Sequence, residues 1–222
     1  MKLFETSIGK KVLMAMSGTI LFGFVIVHMI GNLQIYSGPE KINGYAKFLH
    51  SNPNILWGFR GVMLLALMVH IFSLLSLYGA ARRARPTKYH SQAMQAATAA
   101  SRTMRYGGIA IFAFVIYHLM HFTLGTKQIH PTFVDGQVYC NMVLGFKVWW
   151  VSAIYVGANV FVALHLYHGI WSLFQTLGVN NPRWDGRLRN VAKTVAAVVF
   201  IGNASFPVAT LLGLLPSAGI CS

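Results

Sequence analysis

Residues 114–122 read FVIYHLMHF. Two imidazoles, His118 and His121, stand in a run that is otherwise apolar. Imidazole is costly to place in hydrocarbon or in a dry core. The chain on either side of this stretch therefore decides what kind of protein holds it. Outward from FVIYHLMHF the sequence stays apolar over 103–125. Crossing a bilayer takes about 20 predominantly apolar residues. Four further runs reach that length, at 12–34, 56–80, 147–172 and 191–215. All five are read as transmembrane helices in one domain spanning 1–222, an all-α integral membrane bundle. The stretch 38–50, GPEKINGYAKFLH, is too polar to span. Ile42, Tyr45 and Phe48 recur along it at helical spacing, which places it along the membrane interface.

Composition agrees. The 222 residues are 55% hydrophobic and 10% charged, whereas soluble domains carry about 25% charge. The formal net charge of +14 does not indicate nucleic acid in so apolar a chain; it reads as topology. One side of the membrane receives Lys2, Lys10, Lys11, Arg82, Arg83, Arg85, Lys88, Arg102, Arg105, Arg183, Arg187, Arg189 and Lys193. The other receives Lys41, Lys47, Arg60, Lys127 and Lys147. Thirteen against five puts the N-terminus in the cytoplasm and, after five spans, the C-terminus outside. The basic inner face suits a docked partner or anionic membrane lipid. The opening MKLFETSIGKK is not read as a cleavable signal, because no small-residue cleavage site follows it. The loops are short, so chemistry on soluble metabolites belongs to another chain.

Nine histidines are distributed unevenly. His50, His90 and His130 fall in loops, where a solvated side chain is the plain reading. His28, His70, His118, His121, His165 and His168 fall within spans, where ionisable groups are functional by default. Helices rise about 1.5 Å per residue, so His28 and His118 lie ~25 and ~24 Å from the inner end, and His70 and His165 lie ~18 and ~17 Å from it. The four form two depth-matched pairs. Two imidazoles facing each other from different helices can each give a lone pair to an axial position of haem iron. Without a C-x-x-C-H motif, such haems are b-type and non-covalent. Structural zinc would gather four ligands around one ion, and copper transport would recruit Met and Cys. A transporter would carry acids in its spans, but Glu5, Glu40, Asp135 and Asp185 lie outside the five runs.

The stretches GFVIVHMIGN (23–32), GPEKINGYAKFL (38–49), LALMVHIFSL (65–74), FVIYHLMHF (114–122) and LHLYHGIWSLFQTLG (164–178) together resemble one family. This is the five-helix dihaem cytochrome b anchor of succinate:quinone oxidoreductases, which comprise succinate dehydrogenases and quinol:fumarate reductases. The most distinctive element is a histidine, three residues, then Gly-Ile-Trp-Ser. The resemblance implies two haem b. His28 and His118 would be axial ligands of the outer haem, and His70 and His165 of the inner one. It also implies a flavoprotein subunit carrying FAD, an iron–sulfur subunit on the cytoplasmic face, a quinone (menaquinone is expected) and an inner-membrane location. His121 and His168, one turn beyond their neighbours, would serve structure, a haem propionate or the quinone, or take the ligand role in a neighbour's place. Glu40, the only glutamate on the outer side, is the expected proton donor to the quinone, with Asn32, Gln34, Lys47 and His121 around it, or else simply caps a surface helix after Pro39. Ser17, Arg105, Lys147 and Trp171 are expected near haem propionates, with a plain topological role the alternative for Arg105 and Lys147. Some relatives carry a glutamate beside the fourth-helix ligand; here 161–164 is FVAL, so that proton path has no counterpart. The rival readings are a cytochrome b for another dehydrogenase or hydrogenase, and a non-redox transporter. Cys140 and Cys221 both fall outside under this topology, as a disulfide or as two free thiols.

Overall fold

The computed structural model describes residues 5–84 and 99–221. Lys2, Arg85, Lys88 and His90 lie outside them. The order is α1 (Ser7–Leu33), a 3-10 turn (Gln34–Ser37), α2 (Pro39–His50), α3 (Pro53–Arg83) and α4 (Ala99–His118). A π turn (Leu119–Thr123) continues α4, and α5 (Val138–Lys147), α6 (Trp149–Thr176) and α7 (Asp185–Leu211) follow. Among the described residues there is no strand. Among the described residues, five helices are long and apolar enough to cross a membrane.

Local chemistry sets the ends. Thr6 caps α1 by accepting from the Gly9 amide at 3.0 Å. Asn52 does the same for α3 at the Ile55 amide, 3.3 Å away, with Pro53 supplying a pre-set first turn. Gly38, at φ 96°, makes the reversal into α2 that a side chain would resist. Helix bounds differ from the sequence expectation by as much as six residues. The last span begins at Asp185 rather than 191, and Asp185, expected in a loop, opens α7, where a carboxylate suits the helix dipole. The fourth span begins at Trp149, because the chain bends at Val148 (ψ 105°). Lys147, expected on that span, ends the separate helix α5. The segment containing α5 was expected to be a loop.

α6 packs along α7 and α4, and α1 along α3; α1 also reaches α6 and α7. Met29, Leu166, Ile170, Ala192, Ala196 and Val199 form the core between α1, α6 and α7. Small residues on α7, including Gly202 against Met29, let these helices approach closely. A second core lies where α1 ends and α6 begins, with Ile35, Ile42, Tyr139, Val143, Phe146 and Tyr155 at its centre. Here α2, α5 and the tail beyond α7 form a cap. Cys140 and Cys221 are joined as a disulfide, with Cα atoms 5.4 Å apart. Tyr139 donates to the Pro216 carbonyl at 3.0 Å, and Lys147 donates to Ser217. Leu64, Leu65, Phe72 and Leu75 on α3 point outward, as lipid-facing side chains do. Trp57 and Trp149 are exposed near the cap end and Trp184 near the other, positions that suit membrane–water interfaces.

Candidate functional site

The four spans α1, α3, α4 and α6 each bring one histidine inward. His28 and His118 have ring centroids 5.7 Å apart, with planes at 88°. His70 and His165 are 6.1 Å apart, at 56°. These are the two pairs that depth counting matched. Metal–imidazole bonds of about 2 Å on opposite sides of one ion keep ring centroids about 6 Å apart. All four rings are half-buried. No group of three or more His, Cys, Asp or Glu among the described residues is placed to hold a metal ion. Each pair therefore offers two ligands, which suits an iron whose other four are macrocycle nitrogens and does not suit zinc.

The remaining ring nitrogens are held in different ways. His70 Nδ1 lies 3.3 Å from Ser17 Oγ and 3.3 Å from the Met14 carbonyl. Ser17 directs its own proton to backbone, at Leu13 (2.7 Å) or Met14 (3.1 Å). His70 is therefore the donor at Nδ1, and its Nε2 lone pair is left for a ligand. His118 Nδ1 lies 3.2 Å from the Tyr155 hydroxyl. His28 Nε2 accepts from the Asn32 amide at 3.1 Å, so ligation through that nitrogen requires Asn32 to release it. His165 Nδ1 is buried without a partner, as is His168 Nδ1. Such orphaned polar atoms are uncommon in a finished interior and fit a site that a bound group completes.

His121 is 1% exposed, and its Nδ1 lies 2.9 Å from the same Tyr155 hydroxyl. His130 corrects the sequence reading. It was expected to be solvated in a loop, yet it is 2% exposed. The 124–137 loop folds inward and sets its ring 4.8 Å from that of His121. Its Nε2–H donates to the Asn141 carbonyl at 2.8 Å, and Thr132 donates to Nδ1 at 3.3 Å. Burial holds its imidazole below the usual histidine range; the Asn141 bond opposes this and Lys127 adds to it. His168 is half-buried, 6.2 Å from the Trp171 ring.

The other expected residues are spread over the bundle. Ser17 is beside His70. Glu40 and Lys47 are exposed on α2 at the cap end. Arg105 donates to the hydroxyls of Tyr78 (2.8 Å) and Tyr106 (2.9 Å). Trp171 donates to Asp185 at 3.2 Å. Arg189 pairs with that carboxylate at 2.7 Å and lies 4.0 Å from the indole centroid. Sequence reasoning missed Tyr155, which is 5% exposed. A tyrosine two turns into an apolar helix signals a hydroxyl that needs a partner.

A family model described as the succinate dehydrogenase/fumarate reductase transmembrane subunit matches residues 81–204, more than half of the chain. The match takes in His118, His121, His165 and His168 and stops short of His28 and His70. Neither the curated proteins nor the solved structures yield a match.

Proposed function

This chain belongs to the succinate dehydrogenase/fumarate reductase transmembrane-subunit family, and from that premise we propose that it is a dihaem cytochrome b that links the complex to membrane quinone. The chain is a multi-pass membrane subunit of such a complex. The proposal adds that His28 with His118, and His70 with His165, hold two haem b through their imidazoles. The observation that carries it is the pair of cross-helix histidine contacts, at 5.7 and 6.1 Å, each a spacing suited to bis-imidazole ligation. Bound haem supplies reversible one-electron chemistry.

The protein's own contribution is position. Ser17 and Met14 fix the His70 tautomer, and Tyr155 orients His118. A flavoprotein subunit with FAD and an iron–sulfur subunit would dock on the basic inner face, as family membership implies. The cap end would face outward, which agrees with the charge asymmetry and with a disulfide in an oxidising compartment. Glu40, exposed on the α2 part of the cap, would deliver protons to the quinone, expected to be menaquinone.

A reduced-minus-oxidised spectrum and a pyridine haemochromogen assay of the purified complex test the reading. Two haem b per chain is the expected result, and a chain without haem overturns it. Co-purification with flavoprotein and iron–sulfur subunits distinguishes this assignment from a cytochrome b of another dehydrogenase.

A further inference from the structure

We propose that Tyr155 is a positioning residue that sets the electronic character of the His118 imidazole, and that His121 fixes the direction of its hydrogen bond. The inference rests on the reading of His28 and His118 as haem ligands.

Tyr155 Oη lies 3.2 Å from His118 Nδ1 and 2.9 Å from His121 Nδ1. A phenol has one proton to give. It cannot donate to both rings, so one Nδ1 must carry a hydrogen and donate to the phenol oxygen. A ligand imidazole using Nε2 keeps its proton on Nδ1. The order is then fixed: His118 Nδ1–H donates to Tyr155 Oη, and Tyr155 O–H donates to His121 Nδ1. His121 accordingly carries its own proton on Nε2.

The surroundings favour this order. Tyr155 is clamped by Phe114 (centroids 5.0 Å, planes 84°) and Phe146 (4.9 Å, 81°), so its phenol oxygen is held between the two imidazoles. The π turn at Leu119–Thr123, closed by the Leu124 amide on the Leu119 carbonyl at 2.8 Å, carries His121 to the same hydroxyl that His118 meets. Single π turns within α-helices often mark functional positions. Gly145 leaves room for the rings beyond: a Cβ there would lie 3.1 Å from His121 Nε2 and 3.1 Å from His130 Nε2. Because His130 Nε2–H is committed to the Asn141 carbonyl, His130 offers no competing donor to His121 Nδ1.

A proton donated from Nδ1 makes the imidazole a stronger electron donor at Nε2. This favours the ferric state of the iron it would ligate and lowers that haem's potential. An acceptor that is itself hydrogen-bonded onward strengthens the effect.

The test is Tyr155→Phe in the full chain purified with its partner subunits, read by potentiometric titration of each haem and by EPR of the low-spin ferric signals. Both haems are expected to remain. The haem of the His28–His118 pair shifts to higher potential, with a severalfold higher ferrous-to-ferric ratio at fixed poise and a displaced EPR signal; the other haem is unchanged. Tyr117→Phe, which removes a buried hydroxyl that has no partner, moves neither. Two haems with unaltered potentials and EPR signals in Tyr155→Phe overturn the proposal. A wild-type chain lacking haem overturns the ligation reading beneath it. If Tyr155→Phe loses a haem or does not fold, His121→Ala decides: a smaller shift of the same haem in the same direction supports the proposal, and no shift overturns it.

Discussion

Gly18 lies against His70 across the α1–α3 seam: a Cβ at position 18 would stand 3.3 Å from His70 Cε1 and 3.5 Å from Nδ1. That is tight enough that the ring must give way. Gly18→Val adds branching to the clash and is expected to turn the imidazole away from His165. One of two haem signals should fall, while the His28–His118 haem stays. Haem-to-protein ratios and the two potentiometric components measure this; full retention of both means that the seam tolerates the side chain.

Replacement should divide the six histidines of the spans four to two. His28→Ala, His70→Ala, His118→Ala and His165→Ala are each expected to remove or convert one low-spin haem, because each would take away an imidazole that would hold it. His121→Ala and His168→Ala keep both. Low-temperature EPR counts the low-spin species. Two such species in His118→Ala, and one in His121→Ala, would reverse the assignment within α4.

Glu40 is exposed on the first turn of α2, so replacing it leaves packing undisturbed. Glu40→Gln is expected to suppress quinone-coupled turnover at least tenfold, while artificial-acceptor activity and haem content stay level. Wild-type quinone rates in that variant would remove Glu40 from proton delivery.

The buried His130 gives the cap a pH response. An unfolded histidine titrates near pH 6.5, and burial depresses the folded value. Below about pH 6.5 the opened loop therefore binds a proton that the closed loop does not, so stability falls as pH falls, by up to about tenfold in opening equilibrium per pH unit. The groups facing His130 are His121 on the π turn and Lys127 on its own loop, and neither offsets the added positive charge. Amide exchange across 126–141 should accelerate on acidification in wild type and lose that dependence in His130→Gln. An equal acceleration in both would place the response elsewhere.

The disulfide closes a separation of 81 residues, for which chain-entropy reasoning gives up to about 4–5 kcal/mol. Cys140→Ser is expected to lower the melting temperature of the detergent-solubilised complex and to expose Cys221 to maleimide. An unshifted melt would mean that Tyr139 and Lys147 hold the tail by themselves.

The spans were legible because twenty-odd apolar residues leave few alternatives. The histidine pairs were legible because rise per residue converts sequence position into depth. What escaped was set by tertiary contact. His130 sits in GTKQIHPTFVDGQ, a polar stretch with every mark of a solvated loop; only the pocket formed by α5 and the π turn makes it a core residue. α5 itself, VYCNMVLGFK, is ten residues long, too short to span a bilayer, so it reads as part of the loop before the next span. The hydroxyl shared by His118 and His121 depends on two helices meeting at one atom, which no single stretch of sequence records.

The Cys140–Cys221 bond also orders events during biogenesis. One sulfur precedes α6 and the other follows α7, so the bond cannot close until both helices have been threaded and returned. A chain stalled with α7 not yet inserted keeps its thiols apart. Closure is thus a covalent timestamp of completed insertion, and pulse-labelled chains sorted by thiol state would separate nascent anchors from finished ones before any cofactor or partner subunit is counted.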